Sequence, residues 1–322
     1  MGASASLARL PQLLRINVAA LMLVAVAACD LVPVEDAKPT KPSGPTQQSP
    51  TGPSDSSIAL QRYYARAQND MLVRGLLRQD GGGPDTPFTA TDLARNFEQI
   101  AFYDEYARGS GLSRGGGVQA GLRRWGGPVR IAAKFGASVS VDQRTKDIAE
   151  VSGYAARLSR ITGHPISYTD SNPNFHVFFL SEDDRPDSIE DIRRIVPGIS
   201  ETSLNIFRDI PRSIHCLVAA FSENGNEQNY TTAIAVIRAE HPALLRRSCV
   251  HEELAQGLGL ANDSPAARPS IFNDDDEFAL LTSHDELLLK MLYDPRLKQS
   301  MSLEQASPIA YIIARELVDG DL

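Results

Sequence analysis

The sequence predicts an α+β fold: a mixed sheet of short strands with two core helices packed on it, a helical C-terminal part, and a helical extension in front. Three observations carry that prediction. Residues 128–135 alternate apolar and polar side chains, and short runs rich in β-branched and aromatic residues recur at 166–169, 174–180, 213–221 and 231–238. Apolar residues spaced three and four apart mark helices over 58–78, 92–106 and 142–161. The order from residue 128 onward is strand, helix, four strands and helix, which holds too few crossover helices for a doubly wound sheet.

In chain order, Arg9 and Arg15 precede the apolar run NVAALMLVAVAA, which is short for a membrane span but suits the core of an export signal. It ends in Val26, Ala27, Ala28 and Cys29, which resembles a lipobox, where the cysteine is lipidated and becomes the first mature residue. An ordinary signal peptide cut near the same place is the alternative. Residues 1–28 are therefore expected to be a lipoprotein signal peptide and Cys29 the lipidation site. The protein is expected to be exported and lipid-anchored to the bacterial envelope, facing the periplasm, with inner or outer membrane left open. Residues 29–57 form a tether: residues 30–57 hold six prolines and almost no large apolar side chains, too little to bury a core.

Residues 58–121 are expected to be the helical extension. Leu60, Tyr64, Ala67 and Met71 form the apolar stripe of its first helix, stopped by Gly81, Gly82, Gly83 and Pro84. Its second helix carries Leu93, Phe97 and Ile100 on one face, with Thr89 and Asp92 as a start signal. The main domain is expected over 122–322. Its first helix puts Ile148, Val151, Ala155, Leu158 and Ile161 on one side, with Gly163 past its end. Residues 182–211 are acidic and contain prolines, and predict a loop with one short helix at 188–196. Ser283 and Glu286 fit a capping box for a late helix.

Composition limits the partners. The 322 residues carry 32 Lys and Arg against 40 Asp and Glu, a formal charge of -8 that argues against nucleic-acid binding through a generally basic face. Loss of residues 1–28 removes Arg9 and Arg15 and no acid, moving the charge to -10. Cys216 and Cys249 then form an even pair in an oxidising compartment, where a disulfide is expected. Zinc on these two thiolates lacks a CxxC partner in the sequence.

The stretch CVHEELAQGLGL, residues 249–260, raises the question of chemistry. A zinc helix of the HExxH type places two histidines four apart so that both imidazoles face one ion, with a glutamate to activate water. Starting that pattern at His251 puts Ala255 at the second ligand. Starting it at Glu252 makes the run resemble the HExxHxxGxxH helix of metzincins with its ligands replaced. Glu252 and Gln256 stand at the histidine positions, Glu253 at the general base, Gly259 at the helix-ending glycine and Asn262 at the third ligand, with Asp263 next. Ser270 to Asn273 resembles the Met-turn with Phe272 in place of methionine, and residues 281–295 resemble the closing helix of matrixins through Asp285, Leu289, Leu292 and Tyr293. The wording EELAQGLGLANDS, PSIFNDDDEF and HDELLLKMLYDP is similar to the bacterial envelope family catalogued as domain of unknown function 2927.

The resemblance implies a zincin-like domain in which Glu253 is the candidate base and Glu252, Gln256, Asn262 and Asp263 are candidate, degenerate ligands. An all-oxygen set suits calcium or magnesium better than zinc. The cofactor is thus either none or a divalent cation. Three roles stay open: a binding cleft for a peptide or envelope protein, a metal-dependent or metal-free hydrolase, and an inherited scaffold. His251 precedes the carboxylates and is either a contributor to their chemistry or, as is commoner for a histidine in a helix's first turn, a surface residue; His284 is expected only to mark a helix start. The run Asn273 to Glu277 lacks the spacing of a calcium loop and is expected to be a solvated acidic loop.

Overall fold

A six-stranded sheet organises the chain. Its strands are β1 (Arg124–Trp125), β2 (Val129–Phe135), β3 (Ile166–Tyr168), β4 (Phe175–Leu180), β5 (Cys216–Ser222) and β6 (Asn229–Arg238). β3, β2, β4 and β6 lie side by side and parallel, β1 pairs in parallel with the start of β6, and β5 runs antiparallel along β6. The computed structural model describes residues 52–104, 119–222, 228–273 and 275–320, all within the compact unit Ser49–Leu322. The leader, Cys29, the tether up to residue 51 and most of the glycine-rich stretch at 109–121 lie outside the described residues.

Both faces of the sheet are covered, which is why β4, FHVFFL, is buried along its whole length. Phe175, Val177 and Phe179 face a larger core with Ala233, Ala235 and Ile237 of β6. Phe178 and Leu180 face a smaller one with Ile234 and Val236. Two helices cover that second face, α4 (Arg185–Ile195) and α5 (Glu201–Arg208), through Ile189, Ile192, Leu204 and Phe207. The sequence predicts one short helix in this region. The second is hidden because only Leu204 and Phe207 of its eight residues are buried, too few for a periodic signal.

The larger core gathers the remaining helices. α3 (Val141–Thr162) starts on Ser140, whose side chain accepts from Gln143 N, and stops at Gly163 with φ +65°. Val151, Tyr154, Ala155 and Leu158 point inward. Ile148, placed on the same face by its spacing, is instead 37% exposed. The neighbouring Asp147 turns in, because it pairs with Arg246 at 2.9 Å.

α1 (Asp55–Val73) ends well before the Gly81 run. Gly75 adopts φ +78° and turns the chain, after which Leu77 and Arg78 donate from their backbone N–H groups to Asp276 and Glu277 carbonyls. α2 (Ala90–Ala101) carries the predicted capping box on Thr89 and Asp92, and its Leu93, Phe97 and Ile100 join the larger core beside Ala306 and Ala310 of α8 (Leu303–Asp319). α7 (Ser283–Tyr293) is capped one residue earlier than expected, by Thr282 and Asp285. Glu286 is occupied elsewhere, paired with Arg157 at 2.8 Å.

Candidate functional site

The stretch CVHEELAQGLGL begins on α6 (Ala243–Gln256), which starts after Pro242 and is buried on nearly every side. Polar residues buried on a helix need partners, and α6 finds them in turn. The Arg246 guanidinium donates to both Asp147 oxygens at 2.9 Å, tying α6 to α3. His251 is 4% exposed and stacks on Tyr154 with ring centroids 4.0 Å apart. Its Nδ1 accepts from Leu281 N at 3.0 Å, so its proton sits on Nε2, which faces Glu150 Oε1 at 3.2 Å. Burial holds the His251 pKa below the ordinary histidine value, and the hydrogen bond to His251 holds Glu150 low. With both ring nitrogens engaged, His251 braces α6 against α3 and α7; the surface position that is commoner for such a histidine is not what the fold builds. His284 is likewise fully buried, with Nε2 3.1 Å from Asn96 Nδ2.

The end of α6 is set by close packing. Gly257 lies against the Phe175 ring, and Trp125 Nε1 donates to its carbonyl at 2.8 Å. Gly259 has φ +132°, a conformation open to glycine, and a Cβ there would run into the Arg123 carbonyl oxygen. The chain then turns toward α2, where Asn262 donates from its backbone N to Ile100 O at 3.2 Å and from Nδ2 to Gln99 O at 3.0 Å.

Contacts link several of the candidate residues. Glu252 and Glu253 each bring a carboxylate oxygen within 4.8 Å of the other and of Cys216 Sγ, Glu252 half-buried and Glu253 buried. That group does not include Asp263. Gln256 Nε2 donates instead to Asp263 Oδ1 at 3.4 Å. The Asn262 amide is engaged by α2. The expected disulfide is present: Cys216 at the start of β5 is bonded to Cys249 on α6, with Cα atoms 5.8 Å apart and a sequence separation of 33. It fastens the edge strand to the helix that carries the two glutamates.

Below the site, the segment resembling a Met-turn is held by one carboxylate. Asp285 accepts from Ser270 Oγ at 2.5 Å, Ile271 N and Thr282 N at 3.0 Å, and Thr282 Oγ1 at 2.8 Å. Phe272 fills the larger core. In the acidic run, Asn273 and Asp275 side chains accept from the backbone of Asp275 and Glu277, and Glu277 pairs with Arg268 and Arg78. Asp274 lies outside the described residues.

Sequence reasoning missed two neighbours of the motif, Glu150 and His241. Glu150 meets His251 across two helices, and the His241 ring lies 3.6 Å from Cys249 Sγ through Nδ1. No spacing rule covers either contact, because each is made between elements. A family model described as a protein of unknown function (DUF2927) matches residues 90–311. No curated protein matches the chain.

Proposed function

The chain belongs to the DUF2927 family, and from that premise we propose that it is an exported envelope lipoprotein, anchored through Cys29, whose zincin-like domain binds an extended peptide or protein segment without cleaving it. The observation that carries this reading is the pairing of Gln256 with Asp263. A metzincin-type site needs its two helix positions to converge on one ion. Here the Gln256 amide is engaged with Asp263 and the Asn262 amide with α2, while Glu252 lies beside Glu253 and Cys216. The sheet supports the zincin-like frame through its parallel body and one antiparallel edge strand beside the motif helix.

β5 supplies the binding mode. Among the described residues its single strand partner is β6, so an extended ligand can add to the other edge through main-chain hydrogen bonds. Glu252 and Glu253 would stand beneath such a ligand and favour basic side chains on it. The membrane is then a second partner through the lipid.

The test uses the oxidised full chain in detergent. Binding of an unstructured lysine-rich decapeptide is expected, and methylation of alternate backbone amides of that peptide should abolish it. Metal content by mass spectrometry is measured alongside, in the parent and in Glu252→Ala and Gln256→Ala. A stoichiometric ion lost in both variants would sink the non-cleaving reading and favour a hydrolase with Glu253 as base, the alternative that the closeness of Glu252 and Glu253 supports.

A further inference from the structure

The second face of the sheet carries an imidazole with an open ring nitrogen. Along β4, Phe175, Val177 and Phe179 turn to the larger core, so alternation sends His176 to the other face with Phe178 and Leu180. His176 is 6% exposed, and its Nδ1 is buried with no hydrogen-bond partner among the described residues. On β2, Val129 and Ile131 turn to the larger core, which sends Ala132 and Lys134 to the same face as His176. Register sets Ala132 beside His176 and Lys134 beside Phe178. Lys134 thus stands diagonally from His176, a spacing that a long side chain spans.

Lys134 lacks a counter-charge. Its Nζ lies over the Phe178 ring, 5.6 Å from the centroid, and burial followed by the charge of Arg194, at the end of α4, holds its pKa below the ordinary lysine value. Arg194 is itself paired with Asp191, so the nearby acid answers only one of the two cations. Burial and then the Lys134 charge keep His176 neutral in turn. A half-buried ammonium beside a second cation and an unpartnered imidazole is costly until an anion joins them. Titratable groups perturbed in this way, and gathered on one surface, are the mark of a binding site.

We propose that Lys134 and His176 bind a phosphate group on the face of the sheet opposite α6, with Arg194 adding positive charge. The Lys134 ammonium supplies charge and up to three N–H donors, and His176, in the tautomer protonated on Nδ1, donates one N–H to a second phosphate oxygen. A planar carboxylate is matched best by the fork of a guanidinium. Here the unpaired cation is a point charge and the other donor is a single N–H on the neighbouring strand, which suits a tetrahedral oxyanion. A free phosphate, a phosphate ester and a phospholipid headgroup share this chemistry. The site stands apart from the peptide-binding reading, because α6 packs in the larger core on the other side of the sheet.

The oxidised full chain in detergent, freed of phosphate, is titrated by calorimetry with inorganic phosphate, with glycerol phosphate and with short-chain phosphatidylglycerol, against sodium chloride at matched ionic strength. Saturable binding of inorganic phosphate is expected. Lys134→Met should weaken it by about tenfold or more, the scale of one charged hydrogen bond, and His176→Leu by about fivefold, the scale of a neutral one. Lys146→Met, exposed on α3, should bind as the parent does. A stronger response to glycerol phosphate assigns a soluble ester, and a stronger response to phosphatidylglycerol assigns a membrane headgroup. Heat no larger than that of chloride, or parent-like affinity in Lys134→Met, overturns the site. The parent also gives a readout that needs no variant to fold: in nitrogen NMR of the histidine-labelled chain, His176 Nδ1 should shift as phosphate saturates, and an unmoved signal overturns the proposal equally.

Discussion

His176 shows how a single buried side chain couples the fold to pH. It sits on β4, 6% exposed, and burial followed by the nearby Lys134 charge lowers its pKa from 6.5 to about 4. A histidine depressed in the folded state is neutral there, while the unfolded chain takes up a proton near 6.5, so stability is full above that value and falls as pH drops toward 4. The gap is worth roughly 3 kcal/mol. Urea midpoints at pH 7, 5.5 and 4.5 should decline for the parent, with a shallower slope in His176→Gln; equal slopes would remove His176 as a contributor. Gly259→Ala tests the other demand made on a single residue. At φ +132° against the Arg123 carbonyl, an added Cβ should cost about 3 kcal/mol or more, read as a lowered thermal midpoint. A variant that melts with the parent would show that the turn relaxes.

At the scale of elements, α7 and the segment before it depend on Asp285, which accepts four hydrogen bonds from Ser270, Ile271 and Thr282. Asp285→Ala leaves buried donors without an acceptor and should destabilise by about 3 kcal/mol, with earlier protease cutting in residues 264–272. Normal protection there would show that Ser270 and Thr282 find other partners. The sequence locates most elements for physical reasons that are visible in it. Thr89 and Gly163 mark helix ends because capping is local, and β4 reads as a strand because it is apolar throughout. What escapes the sequence is decided between elements: α1 stops early because residues 77 and 78 pair with a distant loop, Asp147 turns inward for Arg246, and α5 exists to cover the second face. The same division holds at the site. The disulfide is legible from the cysteine count and the expected compartment, whereas the partner of Asn262 comes from α2 and those of His251 from α3 and the segment before α7; only Gln256 finds its partner close by in sequence, in the turn after α6.

For the whole molecule, the disulfide joins the edge of the sheet to the helix beneath it across a sequence separation of 33. Closing a loop of that length is worth about 4 kcal/mol on the chain-entropy account. Reduction in metal-free buffer should lower the unfolding free energy by about that amount, as should Cys216→Ser with Cys249→Ser; an unchanged urea midpoint would mean that the loop is already closed by packing. The order of the strands has a consequence for biosynthesis. β6 is the partner of β1, β4 and β5, yet it is the last strand to leave the ribosome. Until residues 229–238 emerge, β4 waits with FHVFFL and one open edge, the kind of segment that pairs with other chains. A nascent chain halted before residue 229 is thus the form most prone to aggregate, and the one that most needs a chaperone.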